Sequence, residues 1–366
     1  MANPKIPWWL PQVGSDQERK LINQALDNNF INEGPLATKF EQEIAQLVGT
    51  KYAIATPNCT AAIFLSLKAL GIGHGDEVLV PDMTFIATAN AVDLTGARTV
   101  LVDVHPDTLT IDMSAARKAI TSRTKAIVPV HVTGRASDMD ALLTLANDHR
   151  LAIVEDAAEA LMSKYHSQFL GTIGKTGCFS FSPNKTITTG QGGMIVTNDP
   201  ELHTKLRMLK DQGRPVRGTG GDDRHDVIGY NFKFTDLQAA VGLGQLSFLN
   251  QRITRMKRNY ELYAQELKNI NGLTIFPNKH EEIPQWTDAI IERRDELETY
   301  LRTQNIDCRK YWFPLHQQLA YRLPDDNFPH STSLSPKCLW LPSAFTLTDE
   351  AVLTVCIALK KFLRTV

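Results

Sequence analysis

The chain has 366 residues, 43% hydrophobic and 22% charged, with 39 Lys and Arg against 40 Asp and Glu. That length exceeds one typical core and predicts a large domain with a smaller companion. A net charge of -1 leaves no basic excess for a nucleic-acid backbone, and no apolar run reaches the ~18 residues of a membrane span.

Five scattered cysteines (Cys59, Cys178, Cys308, Cys338 and Cys356) suit a reducing compartment better than a disulfide frame or a structural zinc. The stretch Pro4-Lys5-Ile6-Pro7-Trp8-Trp9 lacks the pattern of a signal peptide, so a cytoplasmic location is expected. Ten dispersed histidines form no metal-ligand pattern, and no metal is expected.

In chain order, residues 61–70 read as a helix that stops at Gly71. Strands are expected at 77–80, 99–104, 126–131, 151–155, 178–182 and 194–197, with a helix over 139–149 between them. This alternation predicts an α/β fold whose mostly parallel central sheet is flanked by helices. Residues 213–223, rich in glycine and charge, predict a mobile loop. One long helical region is expected over 235–263, small and apolar in its first half and basic in its second. Isolated strands and helices beyond 265, including helices at 293–304 and 348–362, predict a smaller α+β unit. The expected division is 1–250 for a large cofactor-binding α/β domain and 251–366 for a small C-terminal α+β domain. Residues 1–15 are expected to pack on the small one.

Two glycine patterns carry no site. Gly174-Lys175-Thr176 has Phe169 where a phosphate loop needs its first glycine. Gly71-x-Gly73-x-Gly75 follows a helix rather than a strand and makes a turn.

Four segments carry chemistry, most of them at strand ends, where open α/β sheets keep their ligands. Thr56-Pro57-Asn58-Cys59-Thr60 puts hydroxyl and N–H groups at a helix start, either as an anion site or as a plain N-cap. Asp156, at the end of the apolar strand from Leu151, reads either as a helix cap or as the partner of a protonated cofactor ring nitrogen. Lys185 lies between an apolar strand and the glycine-rich run Gly190-Gln191-Gly192-Gly193. Desolvation beside another cation there would favour a neutral, nucleophilic amine. An Asp and a Lys 29 residues apart, each after a strand, suit an electron-sink cofactor. The fourth segment, His225-Asp226-Val227-Ile228-Gly229-Tyr230-Asn231, reads as a phosphate contact or as a structural turn.

Together with Asn32-Glu33-Gly34-Pro35, Pro81-Asp82-Met83-Thr84-Phe85-Ile86-Ala87-Thr88-Ala89-Asn90, Pro129-Val130-His131, Phe313-Pro314-Leu315-His316 and Leu341-Pro342-Ser343, these segments resemble the DegT-type nucleotide-sugar aminotransferases. That family is a branch of the fold-type I pyridoxal-phosphate enzymes, and the likeness runs over nearly the whole chain. It implies pyridoxal 5'-phosphate as cofactor, with pyridoxamine 5'-phosphate as its amine form. Lys185 would form the Schiff base and move protons, Asp156 would pair with the ring nitrogen, and Glu159 would lie near the ring hydroxyl. Phe85 would stack on the ring, or else be a core aromatic. Cys59, Thr60 and Ser180 would hold the phosphate, joined by Asn231 of a second subunit, so a homodimer with a shared site is expected. His316 and Arg214 are candidate substrate contacts.

The implied reaction passes an amino group from L-glutamate, which leaves as 2-oxoglutarate, to a nucleotide-linked 4-keto-6-deoxy sugar by a ping-pong mechanism. The run around Lys185 resembles enzymes that aminate C4 rather than C3, and the His225–Asn231 run resembles those that act on GDP-4-keto-6-deoxymannose. The products of such enzymes enter surface glycans such as lipopolysaccharide O-antigen. Three positions depart from the family: Asn58-Cys59 replaces a small residue plus glycine, Gln191 replaces a glutamate, and residues 276–293 are compact. An aminotransferase of the same family acting on a different keto sugar, with another nucleotide or at C3, would account for all three. A related sugar dehydratase carries histidine at the lysine position, which Lys185 opposes. A non-catalytic cofactor-binding regulator is opposed by intact Lys185, Asp156 and Ser180.

Overall fold

The computed structural model describes residues 4–216 and 223–364. Seven strands form the main sheet. They are β1 (Tyr52–Thr56), β2 (Glu77–Pro81), β3 (Arg98–Val102), β4 (Thr124–Ile127), β5 (Ala152–Asp156), β8 (Thr176–Ser180) and β9 (Gly193–Thr197). A two-strand ribbon, β6 (Lys164–Tyr165) and β7 (Gln168–Phe169), interrupts the series. The sheet order is β1-β9-β8-β5-β4-β2-β3.

All neighbours are parallel except at β9, which runs antiparallel to both β1 and β8. The cause is local. Ser180 pairs with Gly193 across β8 and β9, so residues 181–192 fold back over the strand end instead of crossing the sheet, as a parallel connection would require. Lys185 sits on that fold-back. Strands β2, β8 and β9 are buried on both faces, as a helix-covered sheet demands, while the edge strand β3 is partly exposed.

The second sheet, β10 (Leu273–Ile275), β11 (Asp288–Ile291), β13 (Cys338–Trp340) and β12 (Arg309–Lys310), is antiparallel throughout. Its apolar face packs with the helices Leu249–Glu266, Arg294–Thr303 and Asp349–Arg364 around Leu301, Leu339, Val355 and Leu359. Ile6 bridges Ile306, and Trp8 and Trp9 join the aromatic cluster of Trp286, Tyr311 and Trp340.

The helix over 139–149 lies where the periodicity puts it, as Met139–His149. The strand ends move by one or two residues elsewhere, and the stretch expected as strand over 126–131 is regular strand only to Ile127, with Val130 still bridging Asp156. The helical region expected as one piece over 235–263 is two helices, Asp236–Leu246 and Leu249–Glu266. The Ser247 hydroxyl donates back to the Gly244 carbonyl at 2.6 Å, a bond that competes with the helical ladder and ends the first helix. β1 was not foreseen, because Tyr52-Ala53-Ile54-Ala55-Thr56 carries two alanines of weak strand preference. The loop expected to be mobile over 213–223 lies partly outside the described residues. No helix among the described residues is long and apolar enough to cross a membrane.

Candidate active site

The carboxyl ends of β5 and β8 and the N-terminus of the helix Cys59–Ala69 converge on a cavity of about 370 Å3. Its lining holds Cys59, Thr60, Phe85, Asp156, Glu159, Ser180 and Lys185, seven residues singled out from sequence.

Asp156 ends β5, buried at 5% exposure. Its Oδ2 accepts from the Thr88 hydroxyl at 2.8 Å and its Oδ1 from the Ala158 N–H at 3.1 Å. Thr84 supports Thr88 through a hydroxyl contact of 3.1 Å. Burial pushes the Asp156 carboxyl above its ordinary range. Its neighbour Glu155, wholly buried, anchors the strand end by accepting from the N–H groups of Gly171, Ile173 and Gly174 at 2.6–2.8 Å. The glycine of the false phosphate loop thus serves the strand beside Asp156.

Lys185 Nζ donates to Glu159 Oε1 at 3.1 Å, 4.7 Å from the centre of the Trp286 ring. The other Glu159 oxygen accepts the Thr133 N–H at 2.9 Å. Thr133 pays for that aim with a φ of 51°, a conformation costly for a β-branched residue and held only by its surroundings. Burial raises the Glu159 carboxyl as well. Both neighbours of Lys185 are clamped by buried Gln285, which accepts from the Thr186 hydroxyl at 2.7 Å and donates to the Asn184 carbonyl at 3.3 Å. The backbone near the lysine is tied once more, by the Trp9 indole N–H to the Pro183 carbonyl at 3.1 Å.

At the other end lies a cup without cations. Asn58 caps the helix Cys59–Ala69, accepting the Ala61 N–H at 2.8 Å. Ser180 and Ser182 face each other at 3.2 Å, and the Ser182 hydroxyl donates to Gln191 Oε1 at 3.4 Å. The Cys59 thiol is pushed well above its usual range by burial and by Asp156, so it stays neutral. Hydroxyls and free helix N–H groups suit a phosphate. A buried, hydrogen-bonded carboxylate across the cavity suits a protonated ring nitrogen, whose charge would offset its burial. The residues present therefore fit pyridoxal phosphate.

Gly193 makes this closeness possible. A Cβ there would meet the Asn58 carbonyl at 2.5 Å and Thr56 Oγ1 at 2.6 Å. Gly193→Ala is expected to displace the cap and weaken cofactor binding about tenfold, an overpacking cost of roughly 1–3 kcal/mol. Titration of cofactor-free protein with pyridoxal phosphate measures it.

Phe85 is exposed and lines the cavity, not the core. Asn231 is exposed, bridges Asp211, and lies away from this chain's cavity. Arg214 pairs with Asp223 at 2.9 Å, outside the lining. His316 is fully buried, bonded to Asp82 at 2.6 Å and Asp325 at 3.1 Å, and stacked on Phe328. It fastens the end of β2 and is not in the lining. Sequence reading missed Thr88, Gln285, Trp286, Arg309, Trp312 and Trp340. Thr88 stands in the quoted Pro81–Asn90 motif with no local sign of its partner, and the others come from distant segments. Among the described residues no group of three or more His, Cys, Asp or Glu is placed to hold a metal ion.

Comparison with known proteins matches this architecture. A GDP-perosamine synthase of Escherichia coli O157:H7 is 36% identical, with 98% of each chain covered. A solved structure of S. venezuelae DesV with a ketimine intermediate superposes with a TM-score of 0.90 at 35% identity, covering 94% of each chain. The PLP form of the sugar aminotransferase Spr1654 from Streptococcus pneumoniae gives a TM-score of 0.93 at 26% identity, covering 99% of each chain. The fold and its cavity define an aminotransferase that uses pyridoxal phosphate. Residues 12–360 match the profile of the DegT/DnrJ/EryC1/StrS aminotransferase family, and the chain belongs to that family.

Proposed function

We propose that this sugar aminotransferase converts a nucleotide-linked 4-keto-6-deoxy sugar, GDP-4-keto-6-deoxymannose in the first instance, to its 4-amino form with L-glutamate as donor. The observation that carries the reading is the Lys185 amine, held between Glu159 and Trp286 in a cavity that Asp156 closes on one side. The sugar is chosen because a relative that is 36% identical along 98% of its length is named GDP-perosamine synthase.

Bound in the cavity, pyridoxal phosphate supplies a pyridinium ring that takes up the electron pair left when a proton leaves the carbon beside the transferred nitrogen. Asp156 would hold the proton on the ring nitrogen. Asn58, Cys59, Thr60, Ser180 and Ser182 would receive the phosphate, and Phe85 would lie against the ring. Lys185 Nζ takes the proton from the α-carbon of glutamate, and in the second half-reaction it returns a proton to C4 of the sugar. Glu159 steadies the ammonium state of that amine. The lysine side chain is only 11% exposed, which limits proton leakage to water. The enzyme acts as a cytoplasmic homodimer whose partner lends Asn231 to the phosphate, and its product feeds a surface glycan.

The test is a substrate panel of GDP-, dTDP- and UDP-linked 4-keto sugars and a 3-keto sugar, each with glutamate, read by mass spectrometry. GDP-4-keto-6-deoxymannose is expected to give the highest kcat/KM, by about tenfold or more over other nucleotides. Preference for the 3-keto sugar, or no amination of any member, contradicts the reading.

A further inference from the structure

Arg309 and Lys310 are adjacent on β12, yet their charges are used differently. Lys310 is paired with Asp295 at 2.9 Å and Glu298 at 3.3 Å. Arg309 has no carboxylate partner among the described residues. Its guanidinium instead lies over two tryptophan rings, 5.0 Å from the centre of Trp8 and 5.6 Å from that of Trp340. It also lines the active-site cavity. Of the charged groups there, Lys185 and Glu159 are paired with each other and Asp156 is hydrogen-bonded to Thr88. Arg309 is left with its donors unused.

A second observation points the same way. The indole N–H groups of Trp286 and Trp340, at 2% and 1% exposure and both in the cavity lining, have no hydrogen-bond partner. Buried donors are normally satisfied, and a pair left open beside a free cation calls for an acceptor that the chain itself does not supply. The rings also connect the two ends of the cavity. Lys185 Nζ lies over Trp286, Trp286 packs on Trp340 at 4.9 Å, and Arg309 covers Trp340. The cofactor phosphate is provided for elsewhere, at the uncharged cup of Asn58, Ser180 and Ser182.

We infer that Arg309, held against the rings of Trp8 and Trp340, receives the anionic end of a substrate whose reacting atom stands at Lys185. The required chemistry is a pair of anionic oxygens matched to the planar guanidinium fork. Two substrates of the proposed reaction carry one, the nucleotide sugar in its pyrophosphate and the amino donor in its side-chain carboxylate. This inference rests on the proposed function for the identity of those substrates.

The test titrates the holoenzyme with GDP, UDP, dTDP and glutarate, followed by tryptophan fluorescence, in the native protein, Arg309→Gln and Arg309→Lys. The side chain is exposed, and thermal melting checks that the variants fold. Arg309→Gln is expected to raise Kd about tenfold or more for one probe class and to leave the other unchanged, with Arg309→Lys recovering only part. A nucleotide effect assigns the pyrophosphate, and a glutarate effect assigns the donor carboxylate. In turnover, KM for that substrate rises while kcat at saturation stays within about twofold. Unchanged Kd values for every probe that the native enzyme binds overturn the inference and leave the proposed function standing. A native enzyme that binds no nucleotide contradicts the nucleotide-sugar reading, with the glutarate titration still deciding Arg309. Binding of no probe at all overturns both.

Discussion

Lys185→Ala is expected to lower the kcat/KM of amino transfer by about 10³-fold or more and to abolish the visible absorption of a lysine-linked cofactor. The magnitude follows from removing the covalent anchor together with the proton carrier. Among the described residues of the cavity lining no other amine is present, and the second cation there, Arg309, lies beyond Trp286 and Trp340. The variant remains foldable. Glu159 loses its ion pair but keeps the hydrogen bond from the Thr133 N–H at 2.9 Å, and without the lysine charge burial draws its carboxyl further toward the protonated form. Steady-state kinetics and an absorption scan of the same preparation measure both effects. Turnover within tenfold of the native enzyme removes Lys185 from the mechanism.

Asp156→Asn separates stability from activity. In the chain alone, burial raises the Asp156 carboxyl. Between its unfolded value of about 3.9 and that raised value, the folded chain binds more protons than the unfolded one. Stability of the cofactor-free protein therefore falls as pH rises through this window, and at neutral pH the ionised carboxylate is a cost. Asparagine removes the cost and keeps the geometry, its oxygen accepting from Ala158 and its amide donating to Thr88. The cofactor-free variant is expected to melt about 2 °C or more above the native protein at neutral pH. With the cofactor bound, the ring proton has lost its partner, a deficit of about 3 kcal/mol or more. That corresponds to roughly 10²-fold in kcat/KM. Melting curves with and without cofactor, beside kinetics, check the opposite signs. A cofactor-free protein destabilised by the change would mean that Asp156 is chiefly a structural cap.

The two effects show what kind of information the sequence carried. Asp156, Ser180 and Lys185 were legible because each lies at or just past a strand end marked by a local apolar run, whereas Cys59 and Thr60 follow the unforeseen β1 and were legible only as a helix start. The fold class was legible from the same apolar runs. The antiparallel β9 was not, since its direction depends on where residues 181–192 fold back, which no alternation of side chains reveals. Thr88 and Gln285 were invisible as partners, because their hydrogen bonds to Asp156 and around Lys185 span 68 to 101 residues. His316 misled in the opposite sense. Its polarity and motif suggested a substrate contact, while the chain bonds one ring nitrogen to buried Asp82 and the other to exposed Asp325. The tryptophans were scattered in sequence; the second sheet brings Trp286, Trp312 and Trp340 together, and the packing of residues 4–9 adds Trp8 and Trp9.

The most direct test of the central claim, that this cavity moves an amino group through Lys185, is the visible spectrum of the purified protein before and after L-glutamate. The account predicts a band of lysine-linked pyridoxal phosphate that gives way to the shorter-wavelength band of the amine form, with one 2-oxoglutarate released per site. A protein that takes up the cofactor and leaves its spectrum unchanged by glutamate contradicts glutamate as the donor. One that takes up no cofactor at all contradicts the assignment of the cavity.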